Sequence, residues 1–145
     1  MSGKALVVGA LGVVGRGLVS HLLDRPEWEV TATSRRTMPG RERLRSISLD
    51  LLDRAQCEAV LPALADVTHL FYVAYAPRPT HEAEVEPNLR MLQNLLDVLG
   101  PVAKELRHVT LMQGTKAYGA HLGPYKTPAR ETDPRIISPL SLIHI

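Results

Sequence analysis

Cysteine is almost missing from this chain: Cys57 stands alone among 145 residues. A disulfide framework is therefore excluded, and a reducing compartment is expected. Aromatic residues make up 4%, with a single Trp and a single Phe, and the formal net charge is only +2. A chain with few rings to stack on bases and no basic stripe is not expected to bind nucleic acid. No apolar run approaches the ~20 residues needed to cross a bilayer. The first residues also lack the charged segment and apolar core of a secretory signal. The expectation is a soluble, cytoplasmic protein without a membrane partner. His21, His69, His81, His108, His121 and His144 show no metal-ligand spacing with Cys57 or the acids, so no metal is expected. Ser20 and Ser138 lack a nucleophile-elbow context, so hydrolase chemistry has no support. Nothing in the pattern sets an oligomeric state.

What is present is a 45% hydrophobic fraction, enough for one domain with a real core. Lys4-Ala5-Leu6-Val7-Val8 reads as a buried strand, and Gly9-Ala10-Leu11-Gly12-Val13-Val14-Gly15 follows it at once. Three glycines three apart, between a strand and an amphipathic helix, make a dinucleotide-phosphate turn. Gly9 permits the tight turn, Gly12 admits a pyrophosphate to the backbone, and Gly15 lets helix and strand pack closely. The helix N-terminus then offers unpaired N–H groups and a partial positive charge to the phosphates. Leu11, Val13 and Val14 accompany the glycines in this candidate site.

Strand and helix patterns alternate along the rest of the chain, which predicts an α/β domain with a parallel sheet. The first helix is expected over about 12–24, with Val14, Leu18, Val19, Leu22 and Leu23 as its apolar stripe. Strands are expected at 28–33, 46–49, 69–73 and 108–112. Asp53 is placed to cap a helix ending near Leu64. A second long helix is expected over about 84–99, buried through Leu89, Leu92, Leu95, Leu96 and Leu99. Right-handed crossovers then give a Rossmann-type doubly wound sheet ordered 3-2-1-4-5. Ligands of such sheets bind beyond the carboxyl ends of the strands. Gly9, Ser34, Asp50, Ala74 and Gln113 all fall there and are expected to line one crevice.

Sites preferring NAD usually carry Asp or Glu at the end of strand two, for the ribose hydroxyls. Here that place holds Ser34-Arg35-Arg36. Guanidinium groups pair with a 2′-phosphate that a carboxylate would repel, so NADP(H) is expected over NAD. The alternative is two solvated surface arginines. Asp50 and Leu51 are candidates for the adenine, Asp50 through its amino group and Leu51 by packing; a plain turn role for Asp50 stands beside this.

The glycine turn, Ser34-Arg35-Arg36-Thr37, 66–73, 88–99 and especially Leu111-Met112-Gln113-Gly114-Thr115-Lys116-Ala117-Tyr118-Gly119 resemble the extended short-chain dehydrogenase/reductase superfamily. Within it they resemble the progesterone 5β-reductase/iridoid synthase-like group. The resemblance covers about 4–135 and implies NADPH-dependent reduction of an activated C=C bond in a small carbonyl substrate, an enone or enal. It implies that Lys116 is the family's lysine after strand five. It also places Val73 and Ala74 near the nicotinamide ribose. The superfamily's usual tyrosine, four residues before its lysine, has no counterpart: residue 112 is Met. The closer group carries its tyrosine beyond Arg135, where 136–145 match nothing in the family. The expectation is therefore the N-terminal portion of a longer reductase, residues 1–135, truncated after strand five and followed by a non-family tail over 136–145. A catalytically inactive nucleotide-binding fragment and an NAD-dependent epimerase/dehydratase relative are the alternatives.

Overall fold

The computed structural model describes residues 3–135; the expected tail lies outside them. Five strands form one parallel sheet: β1 (Gly3–Val8), β2 (Trp28–Ser34), β3 (Leu44–Ser48), β4 (His69–Tyr72) and β5 (His108–Leu111), ordered β3-β2-β1-β4-β5. The expected strand order is the one observed. The helices are α1 (Val13–Leu23), α2 (Arg54–Val60), continued by a 3-10 turn at Leu61–Leu64, and α3 (His81–Leu99). A second 3-10 turn covers Thr115–Tyr118. The chain divides into two compact units, Met1–Tyr75 with Arg90–Met112, and Ala76–Leu89 with Gln113–Ile145.

In the first unit, side chains alternate across the sheet. Ala5 and Val7 of β1 join Val30 and Ala32 of β2 against Val19 and Leu22 of α1. Leu6 and Val8 point to the opposite face, where right-handed crossovers put α2 and the end of α3. Leu61, Leu64, Leu95 and Leu99 are fully buried. Asp53 caps α2 as expected, its carboxylate accepting from the Gln56 amide at 3.0 Å. Arg54 then pairs with Glu58 at 2.7 Å and with Asp97 of α3 at 3.4 Å.

Arg43 closes the far end of α1. It holds a left-handed φ of 61°, which is costly for a residue with a β-carbon. Its guanidinium donates to the carbonyls of Leu23, Arg25 and Trp28 at 2.6, 2.7 and 3.0 Å. These charge-assisted bonds tie the last carbonyl of α1, at Leu23, to the turn and to the start of β2, and offset the strain.

Three expectations are corrected. The helix expected from 84 begins one turn earlier, at His81. Thr80 caps it through Oγ1, which accepts from the Ala83 amide at 3.2 Å, and Glu82 and Glu84 fill its acidic first turn. Its buried stripe is also different. Met91, Leu95 and Leu99 are buried with Glu84 and Asn88, whereas Leu89 and Leu96 are exposed. Buried positions thus recur at 84, 87, 88, 91, 94, 95 and 99, and leucine content alone misassigns the face. In α1, likewise, Val14 is half-exposed rather than part of the buried stripe.

Gly15 and Gly17 of α1 should respond oppositely to alanine. A β-carbon on Gly15 would sit 2.4 Å from the Gly9 carbonyl oxygen and 2.7 Å from the Ala10 α-carbon, whereas one on Gly17 meets nothing within 4 Å. Gly15→Ala should lower the unfolding free energy from urea titration by an overpacking cost of about 1–3 kcal/mol or more. Gly17→Ala should raise it by about 0.5–1 kcal/mol. Equal shifts would contradict the packing.

A second expected outcome concerns pH. Burial holds the His69 imidazole below its usual 6.5, reinforced by the positive charges of His108 and Arg107. The unfolded chain therefore takes up that proton first. Stability should be full above 6.5 and should fall as pH drops through it toward the lower folded value. His69→Phe, which keeps the ring beside Trp28 (centroids 4.7 Å apart), should flatten this part of the urea-midpoint profile.

Candidate functional site

The glycine turn joins β1 to α1 at the carboxyl edge of the sheet. The Gly9 and Ala10 amides both donate to the Thr33 carbonyl, at 2.9 and 3.1 Å, and the Gly12 amide donates to the Gly9 carbonyl at 3.0 Å. Gly9 has φ +88°, and a β-carbon there would lie 2.6 Å from the Ala74 backbone. Gly9 and Gly15 are thus demanded by the protein's own backbone. Gly12 is not: a β-carbon on it meets only the Gly9 carbonyl oxygen, at 3.3 Å, and the residue is exposed. The space it leaves open lies outside the protein, where a ligand oxyanion would approach. No side chain caps α1 at Gly12 and no acid occupies its first turn, so its N-terminal amides and dipole face an anion unopposed. Val13 is 93% exposed, an apolar surface beside the turn; Leu11 is half-buried.

The other first-unit candidates sit at neighbouring strand ends. Ser34 ends β2, and its carbonyl accepts from Leu49 at 2.9 Å. Arg35 and Arg36 follow, both exposed. The Arg35 carbonyl is held by Ser48 Oγ at 3.0 Å, and neither guanidinium enters an ion pair among the described residues. Val73 and Ala74 follow β4; the Val73 amide donates to the Val8 carbonyl at 2.9 Å, which fixes Ala74 against Gly9. Asp50 builds its own turn, Oδ1 accepting from the Leu52 amide at 3.0 Å, with its amide held by Gln56 Oε1. Leu51 is buried, and its carbonyl accepts from Asn94 Nδ2 at 2.7 Å. Gly9, Gly12, Gly15, Ser34, Arg35, Arg36, Asp50, Val73 and Ala74 are thus gathered at one edge of the first unit.

Gln113 and Lys116 belong to the second unit. Lys116 lies on the 3-10 turn, half-buried, with its carbonyl accepting from Gly119, whose φ is +85°. The Tyr72 hydroxyl is buried without a hydrogen-bond partner among the described residues, and burial pushes its pKa up to about 12. Cys57 is buried, and burial raises its thiol pKa, which disfavours the thiolate.

The leucine pattern of α3 obscures the polar residues buried in the second unit. Asn88, 5% exposed, clasps Ala76 from both sides: Oδ1 accepts from the Ala76 amide and Nδ2 donates to its carbonyl, each at 2.9 Å. Nδ2 also donates to the Glu84 carbonyl at 2.8 Å. The clue was the i, i+4 pair Glu84 and Asn88 in line with Met91 and Leu95. Asn88→Leu should leave the Ala76 backbone unpaired, at about 1–3 kcal/mol. Exchange of the Ala76 amide should accelerate about tenfold or more, read by hydrogen exchange.

Comparison with known proteins follows the same lines. The family model described as NAD dependent epimerase/dehydratase matches residues 5–141. An (S)-8-oxocitronellyl enol synthase of Nepeta cataria is 37% identical over 145 residues, covering 91% of this chain and 36% of the relative. A 3-oxo-Delta(4,5)-steroid 5-beta-reductase of Arabidopsis thaliana is 38% identical over 128 residues, covering 83% of this chain and 32% of the relative. The expected likeness to the 5β-reductase/iridoid synthase-like group is borne out. The chain spans about a third of the length of these relatives. Among solved structures, the Bordetella bronchiseptica enzyme WbmG in complex with NAD superposes with a TM-score of 0.73 at 20% identity, covering 94% of this chain and 44% of that one. Gre2 of Candida albicans in complex with NADPH superposes at 0.68 with 18% identity, covering 80% and 38%. These structures establish the fold. Among the described residues no helix is long and apolar enough to cross a membrane. With nearly all of its length matched by the one family model, and with the sheet order and glycine turn that go with it, the chain belongs to the NAD dependent epimerase/dehydratase family.

Proposed function

We propose that this chain is the NADP(H)-binding portion of a reductase that adds hydride to an activated C=C bond of a small enone or enal. The observation that carries the reading is the turn itself. Gly12 leaves space that no protein atom needs, at the uncapped, acid-free N-terminus of α1, and Arg35 and Arg36 stand free where an NAD site would place a carboxylate. In this reading Gly9, Leu11, Gly12, Val13, Val14 and Gly15 hold the pyrophosphate, and Ser34, Arg35 and Arg36 hold the 2′-phosphate. Asp50 and Leu51 flank the adenine, Asp50 toward its amino group and Leu51 by packing, while Val73 and Ala74 serve the nicotinamide ribose; Gln113, of the second unit, is a further cofactor-binding candidate. The bound dinucleotide supplies the hydride. Lys116 offers an ammonium donor that holds a ribose hydroxyl or the oxygen on which negative charge develops; one such donor is worth a few kcal/mol.

A second reading is favoured by one specific feature. No lysine of the chain has a tyrosine four residues before it: Gly100, Met112 and Leu122 hold those places. A chain that binds NADP(H) and turns nothing over fits that absence. One titration tests the nucleotide assignment that both readings share, and a turnover assay separates them. NADPH should bind more tightly than NADH, and Arg35→Ala/Arg36→Ala should weaken NADPH about tenfold or more, equal to 1.4 kcal/mol, while leaving NADH unchanged. Gly12→Ala should weaken both without unfolding the chain. Equal affinities for the two nucleotides would remove the 2′-phosphate assignment. Consumption of NADPH with a simple enone would decide for the reductase reading over the silent one.

A further inference from the structure

We propose that His81 and His121 form a two-histidine site for a divalent transition ion such as Zn2+, with Glu84 as the carboxylate that orients His81. All three lie in the second unit, and none takes part in the nucleotide assignment above. His81 Nδ1 lies 3.1 Å from Glu84 Oε2. Glu84 is 5% exposed and also accepts from the Arg78 amide at 3.3 Å. A carboxylate on Nδ1 places the proton there and turns the Nε2 lone pair outward, the arrangement that metal-bound histidines commonly have.

His121 supplies the other half. Its ring centroid is 5.2 Å from that of His81, with the planes at 74°. Two imidazoles sharing a tetrahedral ion, with metal–nitrogen bonds of about 2.0–2.1 Å, bring their centroids roughly 5 Å apart. Edge-on ring packing alone would account for that separation. It would not account for His121 Nδ1, which is buried without a hydrogen-bond partner. Buried polar atoms are rarely left so, and a metal ion is one ligand that takes a bare ring nitrogen. A cation on the far side of His81 would also ease the burial of the Glu84 charge.

Among the described residues no three His, Cys, Asp or Glu side chains converge on one point. The protein therefore contributes two nitrogens and water completes the shell, so affinity falls well below that of a four-ligand structural zinc site. A bound ion would tie the first turn of α3 to the segment just after the 3-10 turn that carries Lys116. The other histidine pair, His69 and His108, is the internal control. Its centroids are 6.0 Å apart at 41°, one nitrogen of each ring faces a threonine hydroxyl, and among the described residues no carboxylate orients either ring.

The test is calorimetric titration of the full 145-residue chain with Zn2+ in a non-coordinating buffer. One equivalent should bind. His81→Phe and His121→Phe, which keep a ring in place but remove its nitrogens, should each weaken binding at least tenfold. Glu84→Gln should weaken it about tenfold or more, as loss of an orienting partner does. The double change His69→Phe/His108→Phe should leave binding unchanged. Should the His81 or His121 variants fail to fold, Co2+ added to the unaltered chain gives a second readout: paramagnetic broadening of imidazole resonances confined to His81 and His121. Absence of Zn2+ binding by the folded chain, binding that survives both phenylalanine changes, or binding lost only with His69 and His108 would overturn the proposal.

Discussion

A contact between backbones at the first turn governs the rest of this structure. The Gly9 carbonyl lies where a β-carbon of Gly15 would have to go, and the Ala74 backbone lies where a β-carbon of Gly9 would go. The Thr33 carbonyl takes both amides at the start of the turn. The ends of β1, β2 and β4 and the start of α1 are thus held within hydrogen-bond or van der Waals reach of a few backbone atoms. Interiors are too densely packed to absorb an extra methyl there by small adjustments. The carboxyl edge of the sheet acquires its shape from this contact, and every first-unit candidate residue lies along that edge.

The same edge is defined electrostatically by what it omits. The first turn of α1 holds no acid, and the end of β2 holds two arginines in place of a carboxylate. An anion arriving there meets amide N–H groups and guanidinium charge, with no carboxylate in the first turn of the helix to repel it. Elsewhere, Arg43 is spent on the carbonyls just past the end of α1, and Glu84 is buried against His81 and the Arg78 amide.

Much of this was legible beforehand because it rests on local rules. The glycine spacing, the Asp53 cap and the alternation of strands and helices each need only a few neighbouring residues, and together with crossover handedness they give the sheet order. The illegible parts depend on partners distant in sequence. Leucine spacing in α3 suggested a face through Leu89 and Leu96, but the buried stripe runs through Glu84 and Asn88, because Asn88 has a backbone to clasp at Ala76. The start of α3 was readable in principle from Thr80 and the acids after it, and the apolar run further along drew the boundary inward. His81 and His121 stand forty positions apart, so no spacing rule could pair them.

By itself the sequence determined the fold class, the phosphate turn and the character of the nucleotide edge. Those properties follow from missing side chains, short-range capping and strand periodicity, all of which act within a turn or two of chain. Tertiary structure alone decided which face of α3 is covered, how Arg43 is used, and which polar side chains are buried together. Each of those outcomes depends on hydrogen bonds or ring contacts between segments that only folding brings within about 3 to 5 Å of one another.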